Sequence, residues 1–212
     1  MFSEVSEACA RFSQPLALHL VEEINHRVIN EYAEAVAMLS MATSRQQTEA
    51  VPVLAAAADR LRAHAESHRA LLAPASKAQM DLGEYVARYC ACLSRASLQG
   101  RGIRLKLSAD EILIEGERGW RVGLIVSELI RNAVRHGLHG RQGEIEVDLR
   151  RLHTWVQCVV SDNGCAINAS PEGRGRRLVN ALATELEGSA HWRLTNTGSV
   201  VSVAFPIEAT AI

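Results

Sequence analysis

No run of 18 apolar residues occurs in this chain of 212 residues, and no basic-then-apolar leader opens it. The stretch from Leu16 to Leu20 meets Glu22 and Glu23 almost at once. The expectation is therefore a cytoplasmic protein with neither a secretory leader nor membrane insertion. An excess of one charge is missing too: 23 Lys and Arg against 24 Asp and Glu leave a net charge of −1. Nucleic-acid binders carry a basic excess, so no nucleic-acid partner is expected. Cysteine is sparse, five in all, an odd number without the paired spacing of a zinc site. That usage fits a reducing compartment. Cys90-Ala91-Cys92 has no second ligand pair nearby and is expected to pack rather than bind metal.

Glycine is absent from the first 82 residues, and all 14 lie at or after Gly83. The early part is instead rich in Ala, Leu and Glu, which favour helices. Helices are predicted over 14–44 and 50–72, with Val51-Pro52 suited to a helix start and Pro74 to a stop. Leu20, Ile24, Val28, Tyr32, Val36 and Leu39 form an apolar stripe on the first. Leu54, Ala58, Leu61, Ala65, His68 and Leu72 form a seam on the second, at steps of three and four. Such an antiparallel hairpin has too little core to stand alone, and two of them make a four-helix bundle. A homodimer is therefore expected. Residues 1–75 read as a dimerisation domain, Ala75 to Met80 as a linker, and residues 80–212 as a second domain.

The second domain changes to a mixed pattern. Leu82 to Ser97 reads as a helix, and Ile103 to Leu107 and Ile112 to Glu115 as short strands. A helix is predicted from about Trp120, strands over Glu144 to Arg150 and Thr154 to Ser161, and a helix over Leu178 to Leu186. Ala190 to Thr195 and Ser199 to Phe205 read as a closing hairpin through Asn196-Thr197-Gly198. The fold class is α+β: a helical hairpin followed by an α/β sandwich, one sheet covered by helices.

The most informative segment is Ser127-Glu128-Leu129-Ile130-Arg131-Asn132-Ala133-Val134-Arg135-His136-Gly137. At helical spacing Glu128, Asn132 and His136 share one face with Arg135 at its edge, while Leu124, Ile125, Leu129, Ile130 and Val134 supply the buried side. A carboxylate, an amide and cations on one face suit a magnesium-bound nucleotide, although alone they also describe a solvated helix surface. Two motifs follow in order. Val159-Val160-Ser161-Asp162-Asn163-Gly164 is a strand entering D-x-G. Gly173-Arg174-Gly175 opens a helix, where glycines let backbone N–H groups approach phosphate.

In this order the three motifs resemble the boxes of the Bergerat-fold ATPases, the superfamily that includes gyrase and the histidine kinases. The resemblance implies that Asn132 holds Mg2+, Glu128 lies beside the γ-phosphate of ATP, and Arg135 and His136 contact phosphate. It further implies that Asp162 and Gly164 hold adenine and that Gly173 and Gly175 border the ATP lid. Ser199 matches a family Thr on the adenine side. Upstream, Val21-Glu22-Glu23-Ile24-Asn25-His26-Arg27-Val28-Ile29-Asn30 resembles the phosphoacceptor helix of the second-type, or HWE-like, histidine-kinase class. Hairpin, linker and ATPase domain stand in that family's order over nearly the whole chain. The implied activity is an ATP-dependent protein-histidine kinase that phosphorylates itself on His26 and passes the phosphoryl group to a response-regulator receiver aspartate. The chemistry asks for an accessible neutral imidazole.

Several positions depart from the family. Ala166 replaces the second glycine of D-x-G-x-G, only eight residues separate Gly164 from Gly173, and Arg174, Arg176 and Arg177 stand where leucines or small residues are common. Arg27 follows His26 where the larger class has an acid, which implies a different base. About fifteen residues precede the first predicted helix, too few for an input domain, so the signal is expected from a separate sensor protein. The alternative is a histidine phosphotransferase whose catalytic-like domain is degenerate and binds no ATP. A third reading is a dimeric adaptor that grips a receiver or anti-sigma partner without transferring phosphate.

Overall fold

The computed structural model describes residues 27–28, 30–31, 34–35, 37–38, 50–71, 78–165 and 173–208. The chain divides into two compact units, Met1–Leu61 and Arg62–Ile212. The described residues between 27 and 38 are helical, Ala35 and Ala57 are buried, and Arg60 Nη1 lies 2.9 Å from Met38 Sδ in the first unit. Helix α1 is Ala50–Ala70. His26 and Ala166 lie outside the described residues. Among the described residues no helix is long and apolar enough to cross a membrane.

The second unit is built on a five-stranded sheet. In chain order the elements are β1 (Gln79–Asp81), α2 (Leu82–Leu93), β2 (Ile103–Ala109), β3 (Leu113–Glu115), α3 (Gly116–Asn132), β4 (Gly143–Leu152), β5 (Trp155–Asp162), α4 (Arg174–Glu185), β6 (Ser189–Thr195) and β7 (Gly198–Pro206). The sheet order is β2-β4-β5-β7-β6, with β2 parallel to β4 and the other pairs antiparallel. Alternation decides its buried face: Ile145, Val147 and Leu149 on β4, Val156, Cys158 and Val160 on β5, and Val201, Val203 and Phe205 on β7 point one way and are buried. Helix α3 supplies a nearly continuous buried run from Val122 to Ile130.

The single predicted sheet needs correction. Part of the expected linker is strand β1, which pairs antiparallel with β3 through Gln79↔Glu115, Met80↔Ile114 and Asp81↔Leu113. Three residues cannot show a period, so the pairing left no pattern to read. Asp81 then caps α2, its carboxylate accepting from Glu84 N at 3.1 Å. Helix α3 begins at Gly116 rather than near Trp120. Two glycines in its first turn disguise it, yet Gly119 is needed because a Cβ there would meet Met80 Sδ at 2.7 Å.

Of the seam expected on α1, the side chains of Leu54, Ala58 and Leu72 lie outside the described residues. Ala63, His64, Ser67 and Leu71 are buried, whereas Ala65 from the expected seam is exposed and His68 is half-buried. Two side chains meet the carbonyls at the end of α1. Tyr85 Oη on α2 donates to Ala70 O at 2.7 Å, and Trp120 Nε1 on α3 donates to Leu71 O at 2.9 Å. Carbonyls left over at the end of α1 are thus met by side chains from α2 and α3. Gly123 makes room, since a Cβ there would sit 2.6 Å from the Tyr85 ring. Burial raises the Tyr85 hydroxyl pKa, so it stays protonated and donates. Cys90 and Cys158 are buried thiols, each pushed up to about 12, and behave as packing groups.

Arg118, buried in the first turn of α3, joins the far ends of α4 and β7. It donates to Leu186 O at 3.0 Å and Pro206 O at 2.7 Å, with Glu187 3.8 Å away. Its methylenes fit the core, but Arg118→Met would strand two carbonyls. Each stranded buried acceptor costs roughly 1–3 kcal/mol. A fall in melting temperature on the order of 5 °C is expected in a thermal scan. An unchanged midpoint would show that water satisfies both carbonyls.

Candidate functional site

Helix α3 carries Glu128 and Asn132 one turn apart, with Glu128 buried and Asn132 half-buried. Arg131 Nη2 lies 2.7 Å from Glu128 Oε2 and holds the carboxylate in place. Facing them is Gly175 in the first turn of α4. A Cβ there would strike Glu128 Oε1 and lie 3.3 Å from Asn132 Nδ2. Only glycine lets the α4 backbone come this close to an acid and an amide. Gly173, immediately before α4, has nothing within 4 Å of its absent Cβ, and no side chain caps the helix. Its first turn holds no acid and three arginines, Arg174, Arg176 and Arg177. Uncapped N–H groups and cations together suit an anion. Arg176 is partly engaged elsewhere, 5.0 Å from the centroid of the Trp192 ring.

Beyond Asn132 the helix widens into a π-helical turn over Ala133–Gly137, closed by Leu138 N to Ala133 O at 2.7 Å. The α-helical step from Asn132 to His136 read from the sequence is therefore replaced by a wider one. Arg135 and His136 are both exposed. Partial loss of water around the ring, then the neighbouring Arg135 and His139, lower the His136 pKa, so the ring is neutral near pH 7. Arg135 is the cation of this turn.

Asp162 ends β5 as a buried carboxylate. Oδ1 accepts from Gly164 N at 2.9 Å, and Oδ2 accepts a short hydrogen bond from Ser199 Oγ, directly opposite on β7. A carboxylate has about four acceptor positions, so capacity remains for a further donor. Two glycines shape its surroundings. A Cβ on Gly137 would lie 2.7 Å from Oδ2, and one on Gly164 would overlap the Gly137 carbonyl and sit 2.8 Å from Leu138 N. Asn163 closes the loop from the other side, its Oδ1 accepting from Glu144 N at 2.9 Å.

The structure thus makes two groupings of the predicted residues: Glu128, Asn132 and Gly175, and Asp162, Gly164 and Ser199. The π-helical turn joins them. Gly137, which packs against Asp162, and Arg131, which holds Glu128, were absent from the sequence reading of the site. Gly137 stood in the motif as its last letter, whereas nothing local marked Arg131 as the partner of Glu128.

The second unit is thus an α/β sandwich whose uncapped, glycine-opened helix is set against an acid and an amide. A family model described as "Histidine kinase-like ATPase domain" matches residues 99–205, just over half the chain, and one described as "Histidine kinase" matches residues 23–97. The chain belongs to the histidine kinase family. The blue-light-activated histidine kinase 2 of Erythrobacter litoralis is 27% identical over 207 residues, 88% of this chain and 56% of that protein. The sensor histidine kinase PdtaS of Mycobacterium tuberculosis is 25% identical over 185 residues, 82% of this chain and 36% of that protein. This chain therefore spans about a third to a half of these relatives' length. Among solved structures, a histidine kinase domain from a blue-light-activated kinase of Erythrobacter litoralis aligns with TM-score 0.55 at 24% identity, covering 92% of this chain and 96% of that one. One titled a bacterial phosphotransferase aligns with TM-score 0.63 at 16% identity, covering 90% and 96%. These two likenesses bear on the fold alone.

Proposed function

We propose that the chain is an ATP-dependent protein-histidine kinase of a two-component system, phosphorylating itself on His26 and then a receiver aspartate of a response regulator. The observation that carries this reading is the close seat of Gly175 against Glu128 and Asn132. A Cβ would fill that seat, and its donor set, a carboxylate and an amide, fits Mg2+. Asn132 would hold the ion through its amide oxygen, and the bound ion would supply charge neutralisation for the phosphates.

The chain's own groups do the rest. Asp162 accepts from the adenine amino group, with Gly164 and Ser199 fixing its two oxygens. The α4 N-terminus beyond Gly173 and the cation of Arg135 meet phosphate, and neutral His136 offers a hydrogen bond. Glu128 lies beside the γ-phosphate. An unprotonated His26 nitrogen forms the new N–P bond as the bond from γ-phosphorus to the bridging oxygen breaks, and ADP leaves with that electron pair. Residues 1–75 form the dimerisation and phosphoacceptor domain and residues 80–212 the ATP-binding domain. The working unit is a cytoplasmic homodimer. A phosphotransferase without ATP binding has no specific observation in its favour, since a kinase is itself a phosphotransferase.

Titration calorimetry tests the nucleotide half of the proposal. Wild type is expected to bind ATP more tightly with Mg2+ than in chelator, and Asn132→Ala to lose most of that difference. Equal binding by the two proteins under both conditions would remove the Mg2+ assignment.

A further inference from the structure

His139 lies outside the motif residues, yet it contacts the loop that bears Asp162. Its Nε2 is 3.1 Å from Cys165 O. A carbonyl oxygen has no proton to give, so the ring nitrogen is the donor. On the other side of the same residue, Cys165 N donates to Gly137 O at 2.9 Å. Cys165 is therefore held at both its amide and its carbonyl by the turn that follows α3. One residue earlier, Gly164 N donates to Asp162 Oδ1. A continuous path runs from the His139 ring through Cys165 and Gly164 to the carboxylate.

The backbone of His139 supports a specific role for this contact. It has φ of 51°, a left-handed conformation that few non-glycine residues adopt. Its ring is exposed, so burial does not force the residue into that state. Gly140 follows with φ of 71° and closes the turn by donating to Val134 O at 2.8 Å. Glycine at 139 would satisfy this backbone with less strain but could not reach the Cys165 carbonyl. An unusual backbone conformation at a loop beside a candidate site is the kind of observation from which function is inferred.

We propose that His139 is a positioning residue of the nucleotide site, clamping Cys165 so that the Asp162 loop is preset for adenine. The inference rests on the proposed nucleotide-binding function. It predicts an effect on ATP affinity rather than on the transfer step, because the ring acts through the loop and touches no reacting atom.

His139→Gly keeps the left-handed turn and removes only the ring, while His139→Asn tolerates the same φ and restores a side-chain donor. In nucleotide-free protein, hydrogen exchange at the Cys165 amide should quicken in His139→Gly, with the β4 and β5 amides unchanged. The Kd and KM for Mg-ATP should rise about 3- to 10-fold with kcat retained, the size of one net hydrogen bond. His139→Asn should recover part of the loss. Unchanged Cys165 exchange would overturn the clamp whatever ATP does. Faster exchange with unaltered ATP affinity, while Asp162→Asn binds poorly, would overturn the positioning role alone. If Asp162→Asn also bound ATP like wild type, both the positioning role and the nucleotide reading beneath it would fall.

Discussion

Asp162→Asn is expected to weaken ATP binding by about one to two orders of magnitude while leaving the fold in place. The two effects separate because of how the carboxylate is partnered. Oδ1 accepts from Gly164 N, and that bond survives if the asparagine oxygen takes the same position. The new NH2 group then faces Ser199 Oγ, and a hydroxyl can accept as readily as donate. Adenine loses its charged acceptor, and hydrogen bonds to charged groups contribute about 1.5–3 kcal/mol. A melting temperature near that of wild type with a strongly reduced calorimetric affinity is the predicted pair of results. Wild-type affinity would show that Asp162 serves only the β5–β7 strand end.

Gly164→Ala should do more damage, to both fold and function. The added Cβ overlaps the Gly137 carbonyl and approaches Leu138 N at 2.8 Å, and all of these are backbone atoms. No side chain can rotate aside, so the turn after α3 and the Asp162 loop must part. With them go the bond from Cys165 N to Gly137 O and the packing of Gly137 on Asp162. Overpacking of this kind costs roughly 1–3 kcal/mol. ATP binding is expected to fall below detection. Gly173→Ala is the natural comparison, since its Cβ would enter open space and should leave the melting temperature unaltered. Equal stability of Gly164→Ala and wild type would mean that this close approach is not kept in solution.

Much of this arrangement was legible before any coordinates. Period-two runs placed β4, β5 and β7 within two residues of where they lie, and the motif glycines were found where backbone meets carboxylate or opens a helix. The misses have a common physical origin, because each depends on a partner distant in sequence. Strand β1 is too short for a pattern and exists through its pairing with β3. The sequence reading starts α3 near Trp120, and it is Arg118, reaching Leu186 and Pro206, that anchors the turn before it. Tyr85 and Trp120 meet the last carbonyls of α1, contacts that no helical period on α1 itself can reveal. The π-helical turn that carries Arg135 and His136 likewise has no periodic signature in its five residues. The motif glycines were readable because the motif is local, whereas the groups that set its geometry were not.

The central claim, that this chain moves the γ-phosphoryl group of ATP to His26, is tested most directly by incubating the purified protein with Mg2+ and γ-labelled ATP. Label should appear on the wild type, be lost in acid as a phosphohistidine is, and be absent from both His26→Ala and Asn132→Ala. Acid-stable label, or equal label on His26→Ala, would contradict the claim, as would no label on a wild-type protein that also fails to bind ATP.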